Sequence, residues 1–132
     1  MKQKILGIDY GDKKIGLALA ETGSIAAPYK VLKNRNLEQL LEDIKEIIQT
    51  EEVNIVVVGL PHSLTGHDNE RLKITEDFIQ LLNRYLSVYN VPVKTVDEQL
   101  TSKLFHKMGV EKDIDKHAAT AILDTFLSQD NV

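Results

Sequence analysis

Apolar residues follow two rhythms along this chain. Over 3–10 and again over 14–20 they run almost unbroken, the pattern of strands covered on both faces. The polar stretch "YGDK" between them is short enough to close a tight turn. Residues 25–33, "IAAPYKVLK", predict a third strand, with Pro28 best suited to a sheet edge because it has no N–H for a ladder. Two short connections in succession predict an antiparallel meander. The rhythm then changes. Leu37, Leu40, Leu41, Ile44, Ile47 and Ile48 recur at helical spacing, behind Asn36 and Gln39 as a capping pair. "NIVVVGL" at 54–60 is short, apolar and β-branched, as in a central parallel strand, and "PHSLTGHDNE" after it is a polar loop. Residues 70–89 predict a long amphipathic helix with Leu72, Phe78, Ile79, Leu82 and Leu86 inward, and "VPVKTVDE" at 91–98 another strand. A short helix over 101–108 is stopped by Gly109, and a last helix over 115–128 carries Ala118, Ala119 and Ala121 for close packing on a sheet.

Three strands, then helix, strand, helix, strand and two helices make a mixed five-stranded α/β sheet with helices on both faces. This is the element order of the ribonuclease H-like fold. At 132 residues, a single domain spanning 1–132 is expected.

Composition narrows the chemistry. The chain has no cysteine, which excludes disulfides, thiolate metal sites and a Cys nucleophile. His62, His67, His106 and His117 lack the helical spacing of a zinc pair. No apolar run approaches the roughly 20 residues of a membrane span, and the opening "MKQKILGIDYG" is broken at Asp9, unlike a secretory signal. A cytoplasmic location without membrane association is the expectation. The net charge of −4 argues against coating nucleic acid by bulk charge. It leaves room for a local basic rim drawn from Lys13, Lys14, Lys30, Lys33, Arg35, Arg71, Lys73, Lys103 and Lys107.

The acids raise the chemical question. Asp9 ends the first strand, Asp97 and Glu98 end the strand after the long helix, and Asp115 opens the last helix. Sites on open sheets form at the carboxyl ends of parallel strands. Asp97 and Glu98 are neighbours in extended chain and face opposite ways, so only one joins Asp9. Carboxylates gathered in a partly dry site need a shared proton or a divalent cation. Oxygen-only donors suit Mg²⁺ or Mn²⁺. Each acid also has a simpler reading. Asp9 serves equally as a turn residue bonding nearby amides, Glu98 or, more readily, Asp97 as a cap of the helix starting near Thr101, and Asp115 as a first-turn carboxylate facing the helix dipole, with Asp113 as the competing N-cap. Tyr10 and Tyr29 suit strand packing better than base stacking.

Four segments then carry a resemblance. "GIDYGDKKIGLAL", "VVVGLPHSLTG", "VDEQLTS" and "IDKHAATAIL", in that order, resemble the YqgF-type Holliday junction resolvases, also described as pre-16S rRNA nucleases, over nearly the whole chain. The resemblance implies a ribonuclease H-like nuclease with Asp9, Glu98 and Asp115 as catalytic and metal-holding acids. It implies Lys13, Lys14, Thr101 and Ser102 as nucleic-acid contacts. In the implied mechanism Asp9 bridges two Mg²⁺ or Mn²⁺ ions while Glu98 and Asp115 each hold one, and a water attacks the phosphorus. The implied partners are structured RNA, namely pre-16S rRNA with a link to the ribosome, or branched DNA, and the chain is a monomer or homodimer. Two departures stand out. Gln99 replaces the family's usual arginine after Asp-Glu, and the stretch between Leu104 and Asp115 is shorter than usual. An amide cannot supply the charge of a guanidinium.

Two other classes fit parts of the pattern. "GIDYGDKKIG" also resembles the first phosphate loop of actin-like and sugar-kinase ATPases, which need two lobes around ATP. A non-catalytic nucleic-acid or ribosome-assembly module would keep the acids without cleaving.

Overall fold

The computed structural model describes residues 2–61, 69–97 and 114–129. Strands β1 (Lys4–Tyr10), β2 (Lys14–Glu21) and β3 (Ala27–Lys33) are followed by helix α1 (Leu37–Glu51), strand β4 (Ile55–Leu60), helix α2 (Asn69–Leu86), strand β5 (Val93–Asp97) and helix α3 (Ile114–Gln129). The five strands form one sheet in the order β3-β2-β1-β4-β5. β2 pairs antiparallel with β1 and β3, and β4 pairs parallel with β1 and β5. The meander, the parallel strands and the mixed sheet are those expected from the apolar rhythm.

Alternation along β1 divides the core in two. Leu6 and Ile8 pack with Ile15, Leu17, Val56 and Val58 against Leu40, Ile44, Phe78, Leu82 and Leu86 of α1 and α2. Ile5 packs with Ala18, Ala20, Val57 and Val96 against Ala119, Ile122, Leu123 and Phe126 of α3. Small residues on the second face let α3 sit close. At Gly7 a Cβ would stand 2.6 Å from Leu123 Cγ and 3.0 Å from the Ala119 carbonyl oxygen. The period of two thus assigns Ile5, Gly7 and Asp9 to the α3 face.

Several element ends differ from the sequence reading. β3 starts at Ala27, and Ile25, expected inside it, is 89% exposed. Pro28 lies on the edge strand beside a register shift at Leu17/Ala18, where its missing N–H costs no regular ladder bond. α2 ends at Leu86 and continues as a 3-10 turn over Ser87–Tyr89, because Asn90 turns left-handed at φ 59°. β5 starts at Val93, two residues later than expected. Leu37 occupies the first helical position and stays exposed, and Leu72 is half-buried, while Thr75 takes the buried place and donates to the Arg71 carbonyl at 3.0 Å. Asn36 caps α1 by accepting from Gln39 N at 3.1 Å, but the Gln39 amide turns away to Asp43 at 2.9 Å, so only half of the expected pair forms. The short helix expected over 101–108 lies outside the described residues.

At the amino end of β1, Lys4 Nζ donates to Glu51 Oε1 at 2.9 Å, and the Tyr29 hydroxyl donates to the other oxygen at 3.4 Å. The Lys4 hydrogen bond, chiefly, holds the Glu51 carboxyl below its ordinary range. A lowered carboxyl contributes stability above its unfolded pKa and loses it as pH falls through the folded one. Glu51→Gln is therefore expected to lower Tm slightly at neutral pH, with the difference from wild type closing in acid. Thermal melts across the carboxylate range check this.

Candidate active site at the carboxyl edge of the sheet

β1, β4 and β5 are parallel, so their carboxyl ends share an edge. Asp9 sits at this edge, half-buried, on the α3 face. Its partner across β2 is Gly16, and the next partner outward is Val31. On the other side, one step past the last β1–β4 pair at Ile8↔Val58, stands Gly59, itself paired with Val96. Glycines thus flank Asp9 on both neighbouring strands, and its carboxylate has no side chain beside it in its own row. Glycine inside a strand marks a place of close approach. Among the described residues, no hydrogen bond or ion pair occupies the Asp9 carboxylate.

Of the two acids expected at the end of β5, Asp97 is described. Val96 packs on the α3 side, so Asp97 faces the α1/α2 side, away from Asp9. Glu98, Thr101 and Ser102 lie outside the described residues. Asp115 is described through its backbone, in the first turn of α3. Two contacts orient that helix. The Ala26 N–H bonds the Asp124 carboxylate, at the edge where β1 begins, and the Ala119 carbonyl lies over Gly7 in mid-strand. α3 therefore runs opposite to β1, with its first turn directed toward the carboxyl edge. Four residues of helix from Ala119 to Asp115 rise about 6 Å. Two residues of strand from Gly7 to Asp9 advance about 7 Å. The backbone of Asp115 is thus carried to the level of Asp9.

The turn after Asp9 is braced from two elements. Gly11 is required by crowding, since a Cβ there would stand 2.4 Å from the Lys14 carbonyl oxygen. Asn34 Nδ2 donates to the Gly11 carbonyl at 2.8 Å, and Asn34 N to the Lys13 carbonyl at 2.9 Å. Arg71, in the first turn of α2, donates to the Tyr10 carbonyl and pairs with the Asp12 carboxylate. Tyr10 is held from the same helix, its ring stacked on Phe78 at 4.0 Å between centroids. Tyr10 is a packing residue, as its place in the strand suggests. Arg71 is the tether that sequence reasoning missed: it stood among many basic residues, and only tertiary folding brings it 59 positions back to Asp12. Lys13 and Lys14 are both exposed beside this turn.

Arg71→Ala is expected to leave the fold intact at a cost of about 1–2 kcal/mol and to cut turnover about tenfold by loosening the turn after Asp9. Arg71→Lys, with a point charge instead of a planar fork, is expected to recover only part. Denaturation curves and single-turnover rates on the same preparations check both.

A mixed 3-2-1-4-5 sheet with an acid at the end of its central strand, and a helix first turn brought to that level, is the framework of the ribonuclease H-like nucleases. The comparisons with known proteins agree. The model of the RuvX Holliday junction resolvase family matches residues 3–129. A relative from Maridesulfovibrio salexigens named "Putative pre-16S rRNA nuclease" is 34% identical over 136 residues, covering 96% of this chain and 98% of its own. One of the same name from Halothermothrix orenii is 35% identical over 138 residues, covering 97% and 96%. Among solved structures, RuvC of T. thermophilus in complex with a Holliday junction substrate superposes with TM-score 0.62 at 16% identity, covering 91% of this chain and 89% of that one. The fowlpox virus Holliday junction resolvase superposes with TM-score 0.57 at 9% identity, covering 96% and 98%. These two show the fold. The chain belongs to the RuvX family of Holliday junction resolvases, and it is a nuclease of that family.

Among the described residues no helix is long and apolar enough to cross a membrane.

Proposed function

We propose that this chain hydrolyses phosphodiester bonds of structured nucleic acid, at the 5′ end of pre-16S rRNA, with Asp9, Glu98 and Asp115 as its acidic centre. The observation that carries this reading is Asp9. It stands at the carboxyl edge of the central strand, flanked by Gly16 and Gly59, without a partner among the described residues, in a chain of a nuclease family. The strand alternation that turns Asp97 away supports Glu98 as the β5 acid. The direction of α3 supports Asp115. The relatives' names favour the RNA substrate. The family's own description favours branched DNA as the second reading.

Mg²⁺ or Mn²⁺ fits this donor set: the carboxylate at Asp9 is a hard oxygen donor, and a chain without cysteine offers no thiolate. Asp9, Glu98 and Asp115 would hold the cation, which when bound neutralises the clustered carboxylates and the charge that develops on the phosphoryl oxygens. The chain's own groups do the rest. Asp9 and its neighbours orient the attacking water. Lys13, Lys14, Thr101 and Ser102 engage flanking phosphates, fixing the scissile bond in line. The water oxygen bonds to phosphorus, the 3′ oxygen departs, and the proton lost by water reaches that oxygen.

The test is cleavage of a pre-16S rRNA fragment and a four-way DNA junction side by side, with Mn²⁺, for wild type and Asp115→Asn. Wild-type cleavage at the precursor's 5′ end, lost in the variant, is expected. Cleavage of the junction alone would overturn the RNA assignment. Binding of both without cleavage would favour a scaffold role, and a variant as fast as wild type would remove Asp115 from the centre.

A further inference from the structure

The β2–β3 ladder contains a repulsive pair. Lys14 and Lys33 are directly opposite, both exposed, and neither meets a carboxylate among the described residues. Like charges facing across an antiparallel pair are destabilising. Acids are not scarce, with 20 Asp and Glu against 16 Lys and Arg, and other lysines find them: Lys4 pairs with Glu51, Lys45 with Glu42, and Lys73 with Asp77.

The register says which way the pair faces. Asp9 and Gly16 are partners on the α3 face, and Lys14 lies two residues from Gly16 along β2. Lys33, as the partner of Lys14, shares that face. The two lysines thus occupy the row adjacent to Asp9, about 7 Å further toward the carboxyl edge. Lys13 precedes β2, in the turn, where its carbonyl accepts from Asn34 N at 2.9 Å. An exposed lysine on an edge strand such as β3 also discourages edge-to-edge association. That explains Lys33 alone and leaves unexplained a second lysine opposite it on an interior strand.

We propose that Lys14 and Lys33 form a phosphate clamp, in which the phosphodiester backbone of the substrate supplies the missing negative charge between them. The clamp sets the path of the strand: from Asp9 it runs along the carboxyl edge past the ends of β2 and β3 rather than past those of β4 and β5. It adds Lys33 to the interface and rests on the nuclease reading above.

The test pairs binding with stability. Affinity for a pre-16S rRNA fragment and for a four-way DNA junction is measured against salt, with Ca²⁺ replacing Mg²⁺, for wild type, Lys33→Gln and Lys33→Glu. Lys33→Gln is expected to weaken binding several-fold and to flatten the salt slope by about 0.7–0.9, the loss of one phosphate contact. Lys33→Glu is expected to move the two readouts in opposite directions: Tm rises, because Lys14 gains a cross-strand partner, and affinity falls about tenfold or more, because an anion now faces the phosphate. Weakening confined to one of the two nucleic acids assigns the clamp to that substrate. If wild type binds and cleaves while both variants bind equally well with the same salt slope, the clamp is wrong and the nuclease reading stands. If wild type neither binds nor cleaves either nucleic acid, both fall together.

Discussion

Asp9→Asn is expected to lower the cleavage rate by about 10²–10³-fold or more, the scale set by losing one electrostatic contributor to a charged transition state, while Tm stays close to wild type. The two halves of this expectation have separate grounds. The carboxylate of Asp9 has no bonding partner among the described residues, so replacing an oxygen by an amide removes no native contact seen there. Asp9 is paired with Gly16 through the backbone, which the substitution leaves unchanged. Chemically, the amide loses the negative charge that would hold a divalent cation. Rates under single-turnover conditions and thermal melts on one preparation check the pair. A folded Asp9→Asn protein that cleaves at the wild-type rate would remove Asp9 from the chemistry. A variant that fails to fold would mean that its role is structural.

Gly7→Val is expected to cost about 3 kcal/mol or more, at the upper end of what overpacking a close-packed interior does. Any side chain at this position would begin 2.6 Å from Leu123 Cγ and 3.0 Å from the Ala119 carbonyl oxygen. Leu123 is fully buried and cannot swing into solvent, and the second obstacle is backbone, so α3 itself must move. That helix carries Asp115 to the level of Asp9, so activity should fall further than stability alone explains. Adding Leu123→Ala to Gly7→Val makes room for the new methyl groups. The double variant should therefore be more stable than the sum of the two single losses. Urea denaturation of all four proteins measures the coupling. A loss below about 0.5 kcal/mol for Gly7→Val, within the range of surface substitutions, would contradict the seating of α3 on β1.

How much was legible beforehand follows from which forces are local. The unbroken apolar runs over β1, β2 and β4 could only be covered strands, and the stripe from Leu40 to Ile48 could only be a one-sided helix. Element ends were less legible because they depend on single residues in special conformations. Asn90 turns left-handed and ends the helical run, and Ile25, apolar by composition, finds no surface to cover it. At the site, the period of two told only that Asp97 and Glu98 face opposite ways; the packing of Val96 on the α3 side adds that Asp97 faces away from Asp9. A local pattern could not distinguish a turn-forming Asp9 from a ligand-seeking one. What stands beside the carboxylate is set by strand register, which places Gly16 and Gly59 on the neighbouring strands.

Pattern and residue type, acting through burial and backbone sterics, were enough to determine the order of elements, the faces they hide and the strand ends on which acids stand. Only the tertiary structure decided that Gly16 and Gly59 flank Asp9, that α3 runs opposite to β1, that Arg71 holds the turn, and that Lys14 faces Lys33. Each of these joins residues distant in the chain, and their meeting is set by strand register and helix direction, which no local propensity encodes.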